Sequence, residues 1–511
     1  MTMPAVADVA PTYQPRMPLR DYQAREYGRM DGRRAWALLM AMRTGKTAVA
    51  LADFGRAELR GEVDDLLVVA PAGVYLTWVG EVDKHLSDDL RRRVRIGVWK
   101  SGLSDKKLEE LRAFMRDTST PRIFLCNVEA LSRVGTVAVP NKARAACRFF
   151  LEQRGNRATM VVDESTVIKN PKALRTRFVL DVLAPRAAYR RILSGLPTPR
   201  SPLDIWAQFA FLDTRILGHD IYRSFMHEYA IVQRKLFPGA RYYTDVVVGY
   251  RNVERLQELI APHASRVEFR PNIPPTWSHR EVAFTTEQRR VYNDLVKYAT
   301  AKLDEETHVT APIVITQLLR LHQVLCGHVV DENGVERDIP ENKTAELLEL
   351  LDDYSGKAVI WCTYDADVRK VSRALAREFG PRDEFDRPIE PTFPNATVAR
   401  FWGGNLNTRE AEEARFKTDP ACRYMVATAS AGGRGRTWDV ADLVVYYSSS
   451  FDLEHREQSE QRVQATDKLR GVDYVDLVAP NTVETKILNA LRNKMDLASV
   501  ITGDTWREWV V

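Results

Sequence analysis

The chain reads as an α/β protein: two doubly wound parallel-sheet lobes separated by a mainly helical insertion and connector. Length points there first, because 511 residues exceed what one hydrophobic core serves and fit two to four domains of about 100–200 residues. A set of short, apolar, β-branched runs then occurs twice, each time alternating with amphipathic segments. Runs apolar on both faces suit strands buried between helices, as in parallel sheets. Between the two sets the pattern changes to helical spacing.

In the first set, AWALL is followed by LLVVAP (Leu66 to Pro71), RIFLCN (Arg122 to Asn127), TMVVDE (Thr159 to Glu164) and RRILSG (Arg190 to Gly195). From about Thr214 to Asn342, EQRRVYNDLVKYATAKL and ITQLLRLHQVL carry helical apolar spacing, and strand signals are sparse apart from YYTDVVVGY. PNIPPTW (Pro271 to Trp277) reads as an extended linker, since its prolines disfavour helix. The second set is KAVIWCT (Lys357 to Thr363), ATVARFW (Ala396 to Trp402), RYMVATA (Arg423 to Ala429), DLVVYYS (Asp442 to Ser448) and DYVDLVA (Asp473 to Ala479). These boundaries give lobes over 1–213 and 343–490, a connector over 214–342 and a tail over 491–511.

Composition excludes several classes. With 45% hydrophobic and 28% charged residues, the chain is neither disordered, collagenous nor a coiled coil. A formal charge of +5 is compatible with a polyanionic partner without requiring one. The N-terminus MTMPAVADVAPTYQP lacks the apolar core of a signal peptide, and no apolar run approaches the roughly 18 residues of a membrane span. The five cysteines are scattered and never paired as CxxC. Neither a disulfide framework nor a zinc site is expected, and a reducing cytoplasm fits. His322 and His328 have no partner spacing for a metal, Trp206, Tyr446 and Tyr447 read as core, and Arg91-Arg92-Arg93 reads as a solvated loop.

Chemistry enters at MAMRTGKTAVALADF (Met40 to Phe54), which follows AWALL and leads into a helical pattern. Thr44-Gly45-Lys46-Thr47 has the form of a phosphate-binding loop. Gly45 lets backbone N–H groups close on phosphate oxygens, Lys46 reaches the β/γ-phosphates, and the Thr47 hydroxyl ligates Mg²⁺. The usual first glycine of GxxxxGK[ST] is absent, Met40 standing there, and a bare GKT is common by chance. Asp163-Glu164 supplies the second half. A carboxylate at the tip of a buried strand serves the Mg²⁺ shell, and an adjacent glutamate orients and deprotonates the attacking water. An isolated Asp-Glu pair after a strand is usually an exposed turn; a GKT loop upstream turns the pair into an ATP·Mg²⁺ site.

These pieces resemble superfamily 2 helicases and translocases, and most closely the Swi/Snf-like ATPases, from about Leu19 to Leu488. LRDYQ (Leu19 to Gln23) resembles a motif whose glutamine, here Gln23, reads adenine. VVAPAGVYLTWVGEVDKH (Val68 to His85) resembles the first DNA-contacting motif, with Trp78 and Glu81 at the typical spacing. DESTVIKNPKALRTR (Asp163 to Arg177) is the most specific match, and LSGLPTPRSPLDIWAQFAFLD (Leu193 to Asp213) resembles the coupling motif. RFWGGNLNTREAEEARF, ATASAGGRGRTWDVADLVVYYSSSFD and QSEQRVQATDK resemble motifs of the second lobe. The resemblance implies RecA-like lobes, ATP hydrolysis stimulated by nucleic acid, and translocation as a monomer on double-stranded DNA, with single-stranded nucleic acid as an alternative track. It implies that Gly435 contributes to the nucleotide site and that Arg462 completes it from the second lobe. It places Lys169, Arg175, Arg177, Arg200, Arg434 and Arg436 on DNA phosphates, giving salt-sensitive, sequence-independent binding. For any one of these cations the alternative is a solvated surface charge. Compactness suggests a minimal bacterial or phage motor.

One departure bears on mechanism. The second arginine of the QxxxRxxRxGQ pattern falls on Ala465, and such a finger is worth about 10³–10⁵ in rate. A methyl group does not stabilise phosphoryl charge. Slow hydrolysis, replacement by another Arg or Lys, and an arginine exchanged to trap a bound state all fit. A strand-separating helicase and an ATP-gated DNA clamp are the rival functions.

Overall fold

The computed structural model describes residues 12–133, 141–155, 157–195, 197–198, 201–235, 243–305, 311–331, 334–429, 431, 437–465 and 468–492. Two units form: one comprises Met1–Val232 with Gly249–Phe269, the other Gln233–Val248 with Arg270–Val511.

The first unit is built on β1 (Ala35–Met40), β2 (Asp65–Ala70), β3 (Arg95–Val98), β4 (Arg122–Asn127), β5 (Ala158–Asp163) and β6 (Tyr189–Leu193). In chain order β7 (Ala230–Lys235) and β8 (Thr244–Tyr250), which form a separate two-stranded sheet, precede β9 (Ala264–Val267), which joins the main sheet in the order β3-β4-β2-β5-β6-β1-β9. All its pairings are parallel. The central strands are buried along their whole length, as expected for a sheet covered by helices on both faces. Register decides where chemistry gathers. Leu38 pairs with Leu193, and Leu193 with Asp163, so the loops leaving β1, β5 and β6 emerge together at the carboxyl edge, where open parallel sheets bind ligands.

The second unit has β10 (Thr276–Glu281), β11 (His328–Val330), β12 (Glu336–Asp338), β13 (Ala358–Cys362), β14 (Val398–Phe401), β15 (Tyr424–Thr428), β16 (Leu443–Tyr446) and β17 (Asp473–Val478). Its main sheet runs β10-β17-β16-β13-β15-β14, again parallel. Val359, Trp361, Val444 and Trp438 pack one apolar layer, and Ile360, Val445, Val371 and Leu375 pack another. Helices Thr286–Glu305, Ala311–Leu325 and Val483–Arg492 add a third cluster around Leu318, Leu321 and Ile487.

Three expectations are corrected. The segment 214–342 is not a separate helical connector: β9 is an edge of the first sheet and β10 an edge of the second. Edges are covered less, so their sequences ASRV and TWSHRE lack a long apolar run. The linker PNIPPTW accordingly ends inside β10. Arg91-Arg92-Arg93 closes a helix, Asp88–Arg93, capped by Ser87, with Arg91 paired to Asp83 and Arg93 to Glu58. The expected core positions Trp206, Tyr446 and Tyr447 are buried. Among the described residues no helix is long and apolar enough to cross a membrane.

Candidate nucleotide site

The loop between β1 and helix Lys46–Leu59 turns through two left-handed residues, Arg43 at φ 64° and Gly45 at φ 78°. Thr44 Oγ1–H donates to the Ala41 carbonyl at 2.7 Å. Gly45 is required twice over: its φ is unfavourable with a side chain, and an added Cβ would overlap the Gln23 amide. That amide is fixed, because Gln23 Nε2–H donates to the Thr44 carbonyl and Gln23 Oε1 accepts from the Arg20 N–H, both at 2.9 Å. Gln23 therefore sits on the loop.

Lys46 is buried, its ammonium donating to the carbonyls of Met40 (3.0 Å) and Ala41 (3.2 Å). Burial pushes its pKa down, opposed by the charges of Glu164 and Asp163, and the register that aligns Leu38 with Leu193 and Leu193 with Asp163 sets the loop after β1 and the Asp163-Glu164 pair at the same sheet edge. Asp163 ends β5, and both its oxygens are oriented. The Glu164 N–H donates to Oδ1 at 2.8 Å, and the indole N–H of Trp78 donates to Oδ2 at 2.9 Å. Glu164 is buried in the left-handed region, φ 48°, a local strain of the kind that collects at functional sites.

The segment after β6 closes on this loop. The Ser194 N–H donates to the Leu38 carbonyl at 3.1 Å, and its buried hydroxyl has no hydrogen-bond partner among the described residues. Gly195 faces Met42 so closely that a Cβ would meet its backbone nitrogen at 3.3 Å. Ser165 Oγ–H donates to Gln208 Oε1 at 2.5 Å, and Gln208 Nε2–H donates to Pro197 O at 2.6 Å and Asp204 O at 2.8 Å. One buried amide thus ties the residue after Asp163-Glu164 to the expected coupling segment. The donor set fits a magnesium nucleotide: a helix N-terminus, an ammonium, a partly exposed Thr47 hydroxyl and an oriented carboxylate.

The nucleic-acid candidates divide. Lys169 Nζ lies 3.9 Å from Asp204, Arg175 Nε–H donates to Val167 O at 2.7 Å, and Arg177 is exposed on helix Leu174–Phe178. Arg200, Arg434, Gly435 and Arg436 lie outside the described residues. Arg462 is buried within the second unit, its guanidinium 5.7 and 5.5 Å from the ring centres of Trp361 and Trp438. Ala465 is partly exposed.

Sequence reasoning missed two site residues. Trp78 lies in the segment that resembles a DNA-contacting motif, yet it is 1% exposed and holds Asp163. Gln208 lies in WAQFAFL, where a lone polar residue in an otherwise apolar helix was the available signal. His322 is also less isolated than expected: it comes together with Cys326 and Glu484 in the second unit. There Lys343 pairs with the Glu484 carboxylate, so a cation already occupies that cluster.

Residues 34–328 match the model of the SNF2-related domain. The TATA-binding protein-associated factor mot1 of Aspergillus fumigatus is 26% identical over 381 residues, covering 67% of this chain and 20% of that protein. The bovine DNA annealing helicase and endonuclease ZRANB3 is 22% identical over 93% of this chain and 39% of its own length. The chain thus spans well under half the length of these relatives. A solved structure, the Sulfolobus solfataricus SWI2/SNF2 ATPase core in complex with dsDNA, is 19% identical with a TM-score of 0.41, covering 98% of this chain and 99% of that one. With the matched model covering more than half of its residues, the chain belongs to the SNF2-related family of Swi/Snf-like ATPases.

Proposed function

We propose that this protein is an ATP-dependent translocase on double-stranded DNA, a monomer that couples hydrolysis to motion of its two units along the phosphate backbone. The observation that carries the proposal is the convergence of Lys46, Asp163 and Glu164 behind a loop that Gln23 braces. Lys46 leaves its carbonyl partners for the β/γ-phosphates, Gln23 meets the adenine edge, and Glu164 takes a proton from a water aimed at the γ-phosphorus. Thr47 and Asp163 are the residues to hold Mg²⁺, which when bound neutralises charge on the phosphates. DNA as the track is supported by the likeness to the bovine DNA annealing helicase and endonuclease ZRANB3 and by exposed Arg177 on the helix that follows the Asp163-Glu164 segment.

The test is the ATP hydrolysis rate with duplex DNA, single-stranded DNA and RNA, with Lys46→Ala as the blank. It is paired with displacement of a third strand from a triplex and with unwinding of a forked duplex. Duplex stimulation with triplex displacement and no unwinding supports translocation; unwinding supports a helicase. A second reading, a nucleotide-gated DNA clamp with little turnover, is favoured by Ala465 and by the burial of Arg462.

A further inference from the structure

We propose that Trp78 is a positioning residue for magnesium: its indole N–H fixes the Asp163 carboxylate that the metal site requires. The proposal rests on the nucleotide reading above. Trp78 stands on helix Thr77–His85, whose side chains pack into the same core as those of helix Lys46–Leu59. Its ring is 1% exposed and Asp163 is 5% exposed, so water does not compete for the 2.9 Å bond. A carboxylate rotates about its last bond unless both oxygens are held. The Glu164 N–H holds Oδ1, and the indole, from a residue 85 positions earlier in the chain, holds Oδ2. Each oxygen keeps lone pairs for the metal or its waters. Outer partners of this kind change metal affinity by about 10–100-fold when removed.

The experiment is equilibrium binding of a fluorescent ADP analogue to the full chain, titrated with Mg²⁺ and repeated in EDTA. Trp78→Phe is expected to raise the Mg²⁺ concentration at half-saturation about ten-fold while leaving the EDTA affinity within two-fold of the unmodified chain. In an Asp163→Ala background the same exchange is expected to change nothing further. Placing benzothienylalanine at position 78, with sulfur for N–H in an almost identical ring, covers the case in which Trp78→Phe folds poorly. Unchanged Mg²⁺ half-saturation in both variants overturns the positioning role. An equal loss with Mg²⁺ and in EDTA also overturns it, since that marks a damaged core. Failure of the unmodified chain to bind nucleotide, matching Lys46→Ala, overturns the nucleotide reading and this one with it.

Discussion

Replacing Gly45 by alanine tests whether Gln23 braces the phosphate loop. Alanine at φ 78° costs about 1–2 kcal/mol from the left-handed conformation alone. Its Cβ would also fall on the Gln23 amide nitrogen, so the amide must swing away. Two hydrogen bonds are then lost, to Thr44 O and from Arg20 N–H, at about 1 kcal/mol each. Gly45→Ala is therefore expected to cost about 3–4 kcal/mol and Gln23→Ala about 2 kcal/mol. The double variant should cost no more than Gly45→Ala, because the bonds are lost once, leaving a coupling of about 2 kcal/mol. Urea unfolding of the first unit measures all three, with ADP affinity followed in parallel. A strictly additive double variant, near 5–6 kcal/mol, would refute the claim that the amide fills the space a side chain would need.

Asp53→Ala should destabilise the first unit by about 3–5 kcal/mol in urea, because it strands the fully buried Arg191 and its neighbour Arg56; the exposed pair Arg60–Asp31 should be worth less than about 1 kcal/mol. The second unit should resist urea best at about pH 4–5. Burial raises Glu484, but the Lys343 charge and the hydrogen bonds from His322 and Lys343 together outweigh it and hold the group at about 2, below its ordinary 4.5. Its contribution is therefore complete above 4.5 and lost as pH falls through 2. Asp367, which burial lifts from 3.8 to about 7, contributes fully below 3.8 and loses that contribution as pH rises through 7. Glu484→Gln should flatten the acid limb of the stability profile and Asp367→Asn the alkaline limb, and an unchanged profile would count against both assignments. Ala465→Arg should raise DNA-stimulated turnover by at least about 10³ if the missing arginine limits the rate; strong turnover in the unmodified chain would dispose of that idea.

The strands legible in the sequence were those covered on both faces. TMVVDE became β5 and KAVIWCT became β13, within a residue or two at each end. Of the four edge strands in the two main sheets, only β14 had been visible as a run. β3 is four residues interrupted by Gly97, β9 is four residues with Ser265 and Arg266 between its apolar ends, and β10 is largely exposed. An edge strand buries less and needs fewer apolar residues, so its pattern fades into that of a loop. The left-handed turn at Gly45 ahead of its helix and the carboxylate ending β5 have sequence signatures because their backbone geometry demands particular residue types in fixed order. The Trp78 contact was not, because an indole serving as a donor has the same spelling as an indole serving as core. The Lys343–Glu484 pair spans 141 positions, and only the fold brings it together.

Arg462 shows how the retained half of a motif can serve a different purpose from the lost half. Its carbonyl accepts the Trp438 N–H at 2.8 Å, and its guanidinium lies beside two indoles that stack 5.2 Å apart. Leaving both rings would forfeit about 0.5–2 kcal/mol for each, along with the core packing around Trp438. The neighbouring cations are engaged too: Arg456 pairs with Asp476 and Glu460, and Lys468 with Asp442. None of these three is a group on a flexible stem waiting for a phosphate. Ala465, in contrast, is partly exposed. The partly exposed position is the one that lacks the charge, whereas the arginine that remains is held in place by the tryptophans around it. On the proposed function, the charge missing at position 465, and not the site built around Lys46, is the expected limit on turnover, and the Ala465→Arg comparison decides it.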